Sequence, residues 1–215
     1  MRQEFMLYTD YNGCDCTPDE PWTRVRDPKH HYDKQATFAV SSFSEGRGAK
    51  CLIVGSPLFE AEEFVKKGWA VTYMDVRVPP DVVFACITAD AATYPFEPES
   101  FDAASSTCVL CHAGMGRYTD AILEDADTLM LSNICRALKR GAKAAITFGP
   151  VASMSMVARI GNMHRIYNMA EARNMTKGFR ILEERILDVE RNEWTHRPSG
   201  THLGKTHLSM LLEKI

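Results

Sequence analysis

The sequence predicts an α/β fold built on a doubly wound, mostly parallel sheet, and three observations carry that expectation. Cys51 to Val54 form a short apolar run suited to a strand buried on both faces. Gly55 follows at once, and its conformational freedom lets the chain turn sharply into a helix carrying Glu60 to Lys67. A second run from Trp69 to Met74 ends on Asp75, and strand and helix patterns alternate through residue 150. Such alternation favours parallel strands covered by helices on both faces.

The first turn also carries chemistry. A carboxylate about 20 residues beyond the glycine turn, at the end of the next strand, can accept both ribose hydroxyls of an adenosine-containing ligand. Asp75 stands there. Ser56 and Pro57 interrupt the G-x-G-x-x-G pattern of a dinucleotide loop, and Pro57 has no backbone N–H to offer a pyrophosphate. A ligand without phosphates fits this turn better.

Phe84 to Ile87 form the next apolar run, followed by Asp90, Tyr94-Pro95-Phe96 and Ser100-Phe101-Asp102. Leu138-Lys139-Arg140-Gly141 then precedes an apolar strand at Ala144 to Phe148. In this order the blocks resemble the class I S-adenosylmethionine-dependent methyltransferases, whose fold is Rossmann-like. The resemblance implies S-adenosyl-L-methionine as cofactor, with Asp75 on the ribose, Asp90 at the adenine edge, and Gly55 and Ser56 near the methionine portion. Gly178 to Glu190 and His207 to Leu212 read as two strands separated by a loop. The resemblance implies that they form a C-terminal antiparallel strand pair at the far side of the sheet.

A narrower resemblance rests on Gly116-Arg117-Tyr118-Thr119-Asp120 and Asn162-Met163-His164-Arg165-Ile166-Tyr167. These look like the G-R-Y-G-D and N-x-H-R-I-Y blocks of a methyltransferase-like domain family of unknown function. Gly55-Ser56-Pro57-Leu58-Phe59-Glu60 is similar to that family's first turn with shorter spacing. Thr119 replaces a glycine, and Cys111-His112 stands where a Glu-His pair is common.

At 215 residues and 45% hydrophobic content the chain can bury one large core. Residues 1–46 read as an N-terminal arm or cap, and 47–215 as the methyltransferase-like domain. Gln35 to Ser44 are expected to form a short helix. Asp125 to Arg140 should form another, with Leu129, Ile134 and Leu138 facing the core and Gly141 as its stop. A net charge of −3 gives no basic footprint for nucleic acid, so a small-molecule substrate is expected. No apolar run approaches the roughly 20 residues that span a bilayer, and Met1 to Phe5 lack a secretory apolar region. The expected location is the cytoplasm.

Seven cysteines are odd in number and scattered, so reduced thiols are expected rather than a disulfide framework. Cys51, Cys86 and Cys135 read as small hydrophobes. Cys14-Asp15-Cys16 with His30-His31 lacks the spacing of an established metal motif, and no metal is assigned. Cys108 to Cys111 has C-x-x-C spacing but does not open a thioredoxin-like helix. Trp194, His196, His202 and His207 read as surface or packing residues.

The expected reaction moves a sulfonium methyl to an oxygen, nitrogen or carbon nucleophile by in-line displacement. The donor is already activated, so the protein aligns the reactants and removes a proton where the acceptor carries one. The resemblance implies that Ser100-Phe101-Asp102 opens the fourth strand, and His112, beyond it, is the candidate base. Arg117, Tyr118, His164, Arg165 and Tyr167 are candidate substrate ligands, because arginine offers a planar fork and tyrosine a hydroxyl. A noncatalytic cofactor-binding or assembly protein and an NAD-dependent oxidoreductase are the competing classes.

Overall fold

Side chains of β2 (Lys50–Val54) are buried alternately on its two faces, which shows how the sheet is covered. Leu52 and Val54 enter one apolar cluster, while Cys51 and Ile53 enter another on the opposite face. A computed structural model shows this arrangement and describes residues 4–8, 30–78, 81–118, 120–153, 157–198 and 205–215. The first face is closed by α3 (Ala126–Ala137) and α4 (Met169–Met175), through Met130, Leu131, Ile134 and Ala172. The second is closed by α1 (His31–Ser41) and α2 (Leu58–Lys66), through Phe38, Ala39, Leu58 and Phe64.

Next to β2 lie β3 (Ala70–Asp75) and β5 (Phe101–Ser106), both parallel to it. Outward from these run β4 (Ala85–Thr88), paired with β3, and β6 (Leu138–Pro150), paired with β5, again in parallel. The antiparallel pair expected at the far side is present. β11 (Thr206–Lys214) pairs antiparallel with β6 and with β9 (Phe179–Asp188), and β10 (Glu193–Thr195) adds an edge to β9. The order across the sheet is thus β10-β9-β11-β6-β5-β2-β3-β4. A second sheet joins β1 (Glu4–Tyr8), β7 (Val157–Ile160) and β8 (His164–Ile166).

Several local expectations are corrected. The first helix begins at His31 rather than Gln35, because the His30 ring accepts the Tyr32 N–H at 3.3 Å and caps it. Its Phe38 and Ala39 share a core cluster with β2, β3 and α2. The helix expected to reach Arg140 ends at Ala137, and Leu138 already pairs with Phe101 as strand. Gly141, at φ +75°, lies in a bulge of β6 instead of stopping the helix. Leu129 is 43% exposed, and the core face of α3 is set by Met130, Leu131 and Ile134. Between β3 and β4, and between β4 and β5, the described residues turn without a helix. Cys86 is exposed because β4 is the edge strand. Cys14, Asp15, Cys16 and His202 lie outside the described residues.

Candidate active site

The carboxyl ends of β2, β3, β4 and β5 converge on one cavity of about 240 Å³, where ligands of open α/β sheets bind. Gly55, Asp75, Asp90 and Cys108, each at or just beyond a strand end, help to line it. Gly55 adopts φ +60°, and a Cβ there would meet a Val109 methyl at 2.8 Å, so glycine serves both the turn and the close approach. Ser56 is buried, its Oγ accepting the Thr107 N–H at 2.9 Å and its carbonyl accepting the Tyr73 hydroxyl at 2.8 Å. Those bonds tie the turn to β5 and β3.

Asp75 Oδ1 accepts the Arg77 N–H at 3.0 Å, which holds the carboxylate at the cavity wall. Burial pushes its pKa up, and the Arg77 N–H and charge pull the other way. Asp90 Oδ1 accepts the Ala92 N–H at 2.8 Å, whereas its Oδ2 is buried with no partner among the described residues. Asn133 of α3 donates to the Ala91 and Ala92 carbonyls at 3.0 and 2.8 Å, fixing the loop that carries Asp90. A buried acceptor of this kind calls for a donor from a ligand.

On the opposite wall, a short 3-10 turn at Leu110–His112 presents His112. Its Nδ1 donates to the Met163 carbonyl at 2.5 Å, which leaves Nε2 as the accepting nitrogen. Burial, then the Arg117 charge, depress the His112 pKa to about 3, so the ring is neutral near pH 7. Arg117 also donates to the Met163 carbonyl, at 3.1 Å, so the two polar blocks meet. Tyr118 lies edge-on to His112, with the guanidinium groups of Arg117 and Arg77 5.0 and 5.2 Å from its ring centre. His164 stands 6.2 Å from His112 between ring centres, its pKa lowered to about 4 chiefly by burial.

Asp120 explains the spacing of the glycine-arginine-tyrosine block. Its carboxylate accepts the N–H groups of Met115, Gly116 and Tyr118 at 3.0, 3.2 and 3.0 Å, folding the loop around one side chain. Arg165 and Tyr167 require a correction, for they are 1% and 0% exposed and do not line the cavity; Arg117 and His164, both half-buried, are not among its lining residues either, so of the five expected substrate ligands only Tyr118 is in the wall. Tyr167 donates to Asp127 Oδ2 at 2.7 Å, and Arg165 lies 3.8 Å from the same oxygen while donating to the Ala113 carbonyl. They brace β8 against α3 and the His112 turn. Trp194 packs against Phe38, His196 is exposed, and His207 is buried.

Sequence reasoning missed Tyr32, Arg77, Thr107 and Cys108 in the cavity wall, because strand ends and a preceding helix bring them together from distant positions. It also missed Glu60 as a buried support. Ser105 donates to Glu60 at 2.6 Å, and burial pushes that carboxyl up to about 7 despite this hydrogen bond.

Residues 62–146 match the model of a family described as a methyltransferase domain. No curated protein matches the chain in sequence. Among solved structures, the fold is similar to a 1,6-didemethyltoxoflavin-N1-methyltransferase from Burkholderia thailandensis, crystallised with 1,6-didemethyltoxoflavin and S-adenosylhomocysteine. That match has 15% identity and a TM-score of 0.65, covering 87% of this chain and 79% of that one. An S-adenosylmethionine-dependent methyltransferase from Mesorhizobium loti matches at 14% identity and TM-score 0.59, over 84% of this chain and 98% of that one. A third, from Methanosarcina mazei, matches at 15% identity and TM-score 0.56, over 81% and 95%. At such identities the likeness is one of fold.

Proposed function

We propose that this protein is an S-adenosylmethionine-dependent methyltransferase acting on a small polar acceptor. The observation that carries the reading is the pair Asp75 and Asp90 at adjacent strand ends beside the Gly55 turn, with Asp90 Oδ2 lacking a donor. Asp75 would accept the ribose hydroxyls, and the adenine amino group would supply the donor that Asp90 lacks. The turn at Gly55 and Ser56 suits the methionine portion, which brings no pyrophosphate to be held. The match of residues 62–146 to the methyltransferase domain supports the same cofactor, as does the fold neighbour that binds S-adenosylhomocysteine.

When bound, the cofactor supplies an activated methyl group. The chain's own contribution is orientation and proton handling. Tyr118, in the cavity wall beside His112, would recognise a hydroxylated acceptor, with Arg117 and His164 packed around the two rings, while His112 Nε2 would take the acceptor's proton. The G-R-Y-x-D and N-M-H-R-I-Y blocks support a relation to the methyltransferase-like family that shares them. A second reading, cofactor binding without catalysis, is favoured by the low proton affinity of His112, a weak base at neutral pH.

Calorimetry with S-adenosylmethionine, S-adenosylhomocysteine and NAD tests the proposal. The first two should bind and NAD should not. NAD binding as tight as that of S-adenosylmethionine would return the oxidoreductase class. Cofactor binding with no methyl transfer to any hydroxylated, aminated or anionic metabolite in a broad screen would shift weight to the noncatalytic class.

A further inference from the structure

We propose that His31, Cys108 and His207 form a binding site for a zinc-class divalent cation at the wall of the candidate cofactor cavity. The three residues come from the start of α1, the segment after β5 and the second residue of β11, so only the fold assembles them. Their ligand-capable atoms all lie within 4.8 Å of one another. Two imidazoles and a thiol are the donor set that a borderline-soft cation prefers over carboxylate-binding magnesium or calcium.

The spacing fits coordination. Zn–S of about 2.3 Å and Zn–N of about 2.0–2.1 Å at a tetrahedral angle place sulfur and nitrogen roughly 3.6 Å apart. Cys108 Sγ and His207 Nδ1 are separated by 3.6 Å. A shift on the order of 1 Å brings a His31 nitrogen to the same range. Cys108 is held at φ +59°, a left-handed conformation rare for a residue with a side chain. Strain of this kind persists where surrounding structure fixes a side chain's direction, and it concentrates at functional sites.

Gln35 bonds to two of the three ligands: Cys108 Sγ donates to its Oε1 at 3.2 Å, and its Nε2 lies 3.1 Å from His207 Nδ1. Gln35 is fully buried, so these bonds keep the ligands gathered. On binding, the cation takes the lone pairs of Cys108 and His207, the thiol proton passes to solvent, and Gln35 is left as an outer-shell partner. Three protein ligands leave a fourth coordination position for water or another small ligand. Cys108 also lines the cofactor cavity, with Tyr32 beside it. The site stands on this geometry alone and holds whether or not the protein transfers methyl groups.

The test uses the full chain, stripped with a chelator and reloaded with zinc chloride or with cobalt(II). About one zinc per chain is expected, together with intense tetrahedral cobalt absorption and a thiolate-to-cobalt charge-transfer band. Cys108→Ser should abolish that band. His31→Ala, at a half-buried position, should weaken zinc at least about 100-fold, beyond the 10–100-fold cost of an outer-shell loss. Cys86→Ser, on the exposed edge strand, should change neither readout. Folded wild-type protein that binds no zinc at micromolar concentration, or cobalt bound without the charge-transfer band, would overturn the proposal. So would a site that survives Cys108→Ser and vanishes in a Cys14→Ser/Cys16→Ser double variant. Absence of the charge-transfer band in the wild type would overturn the proposal even if a variant fails to fold.

Discussion

Asp75 and His112 divide the site into a binding wall and a reacting wall, and each makes a separable prediction. Asp75→Ala removes a carboxylate that would accept two ribose hydroxyls. A hydrogen bond to a charged group contributes about 1.5–3 kcal/mol, so calorimetry should show at least a tenfold loss of S-adenosylmethionine affinity. Unchanged affinity in the folded variant would reject Asp75 as ribose ligand. His112→Ala should instead spare cofactor affinity and lower turnover by about 10²–10⁴-fold if the ring is a general base. Because His112 stays neutral down to about pH 3, single-turnover rates should show no loss of activity from this group between pH 7 and pH 5. An acid limb near pH 6.5 that disappears in the variant would mean the ring keeps its ordinary proton affinity during the reaction.

At the scale of elements, the His112 wall depends on a buried ionic brace. Asp127 sits in the first turn of α3, fully buried, and gathers Tyr167 and Arg165 from the β8 segment. Asp127→Asn removes a counter-charge 3.8 Å from the buried Arg165 guanidinium. Breaking one side of a buried pair costs about 3–5 kcal/mol. Urea denaturation should therefore show a large fall in midpoint, and the Met163 carbonyl that orients His112 should lose its fixed position. A midpoint within experimental error of wild type would show that the pair is dispensable. The polar block from Asn162 to Tyr167 was legible in the sequence as a cluster. Its division into His164 facing His112 and Arg165 and Tyr167 facing the core was not, since that depends on which way a three-residue strand presents its side chains.

For the whole molecule, burial sets the dependence of stability on pH. His112 and His164 have folded-state pKa values of about 3 and 4 against an ordinary 6.5. Between these limits the unfolded chain takes up protons that the folded chain refuses, so their contribution is complete above pH 6.5 and is lost as pH falls toward 4. Glu60 acts in the opposite sense. Its pKa, raised from 4.5 to about 7, means that the folded chain keeps a proton the unfolded chain has released, so this contribution is lost as pH rises from 4.5 to 7. Stability should therefore rise from pH 5 to pH 7 more steeply in Glu60→Gln than in wild type. Denaturation midpoints at the two values check the sign, and equal slopes would place Glu60 at its ordinary proton affinity.

The same distinction between local pattern and assembled surroundings runs through the fold. The sequence by itself determined the parallel core, because Cys51 to Val54, Gly55 and Asp75 carry strand, turn and acid signals within a few residues of one another. It also marked Asp90, after the apolar run Phe84 to Ile87, and the two late strands read at Gly178 to Glu190 and His207 to Leu212, while His112 was placed through the resemblance of the Ser100-Phe101-Asp102 block. Tertiary structure alone decided that α3 yields to strand at Leu138, where pairing with Phe101 outweighs local helical pattern. It alone drew Arg165 and Tyr167 into the core, made Asp120 the hub of its loop, and brought His31, Cys108 and His207 together. The reason is physical: backbone turns and strand periodicity are written in neighbouring residues, whereas desolvation, ion pairing and ligand geometry depend on distances between side chains remote in the chain, which exist only once the sheet has closed.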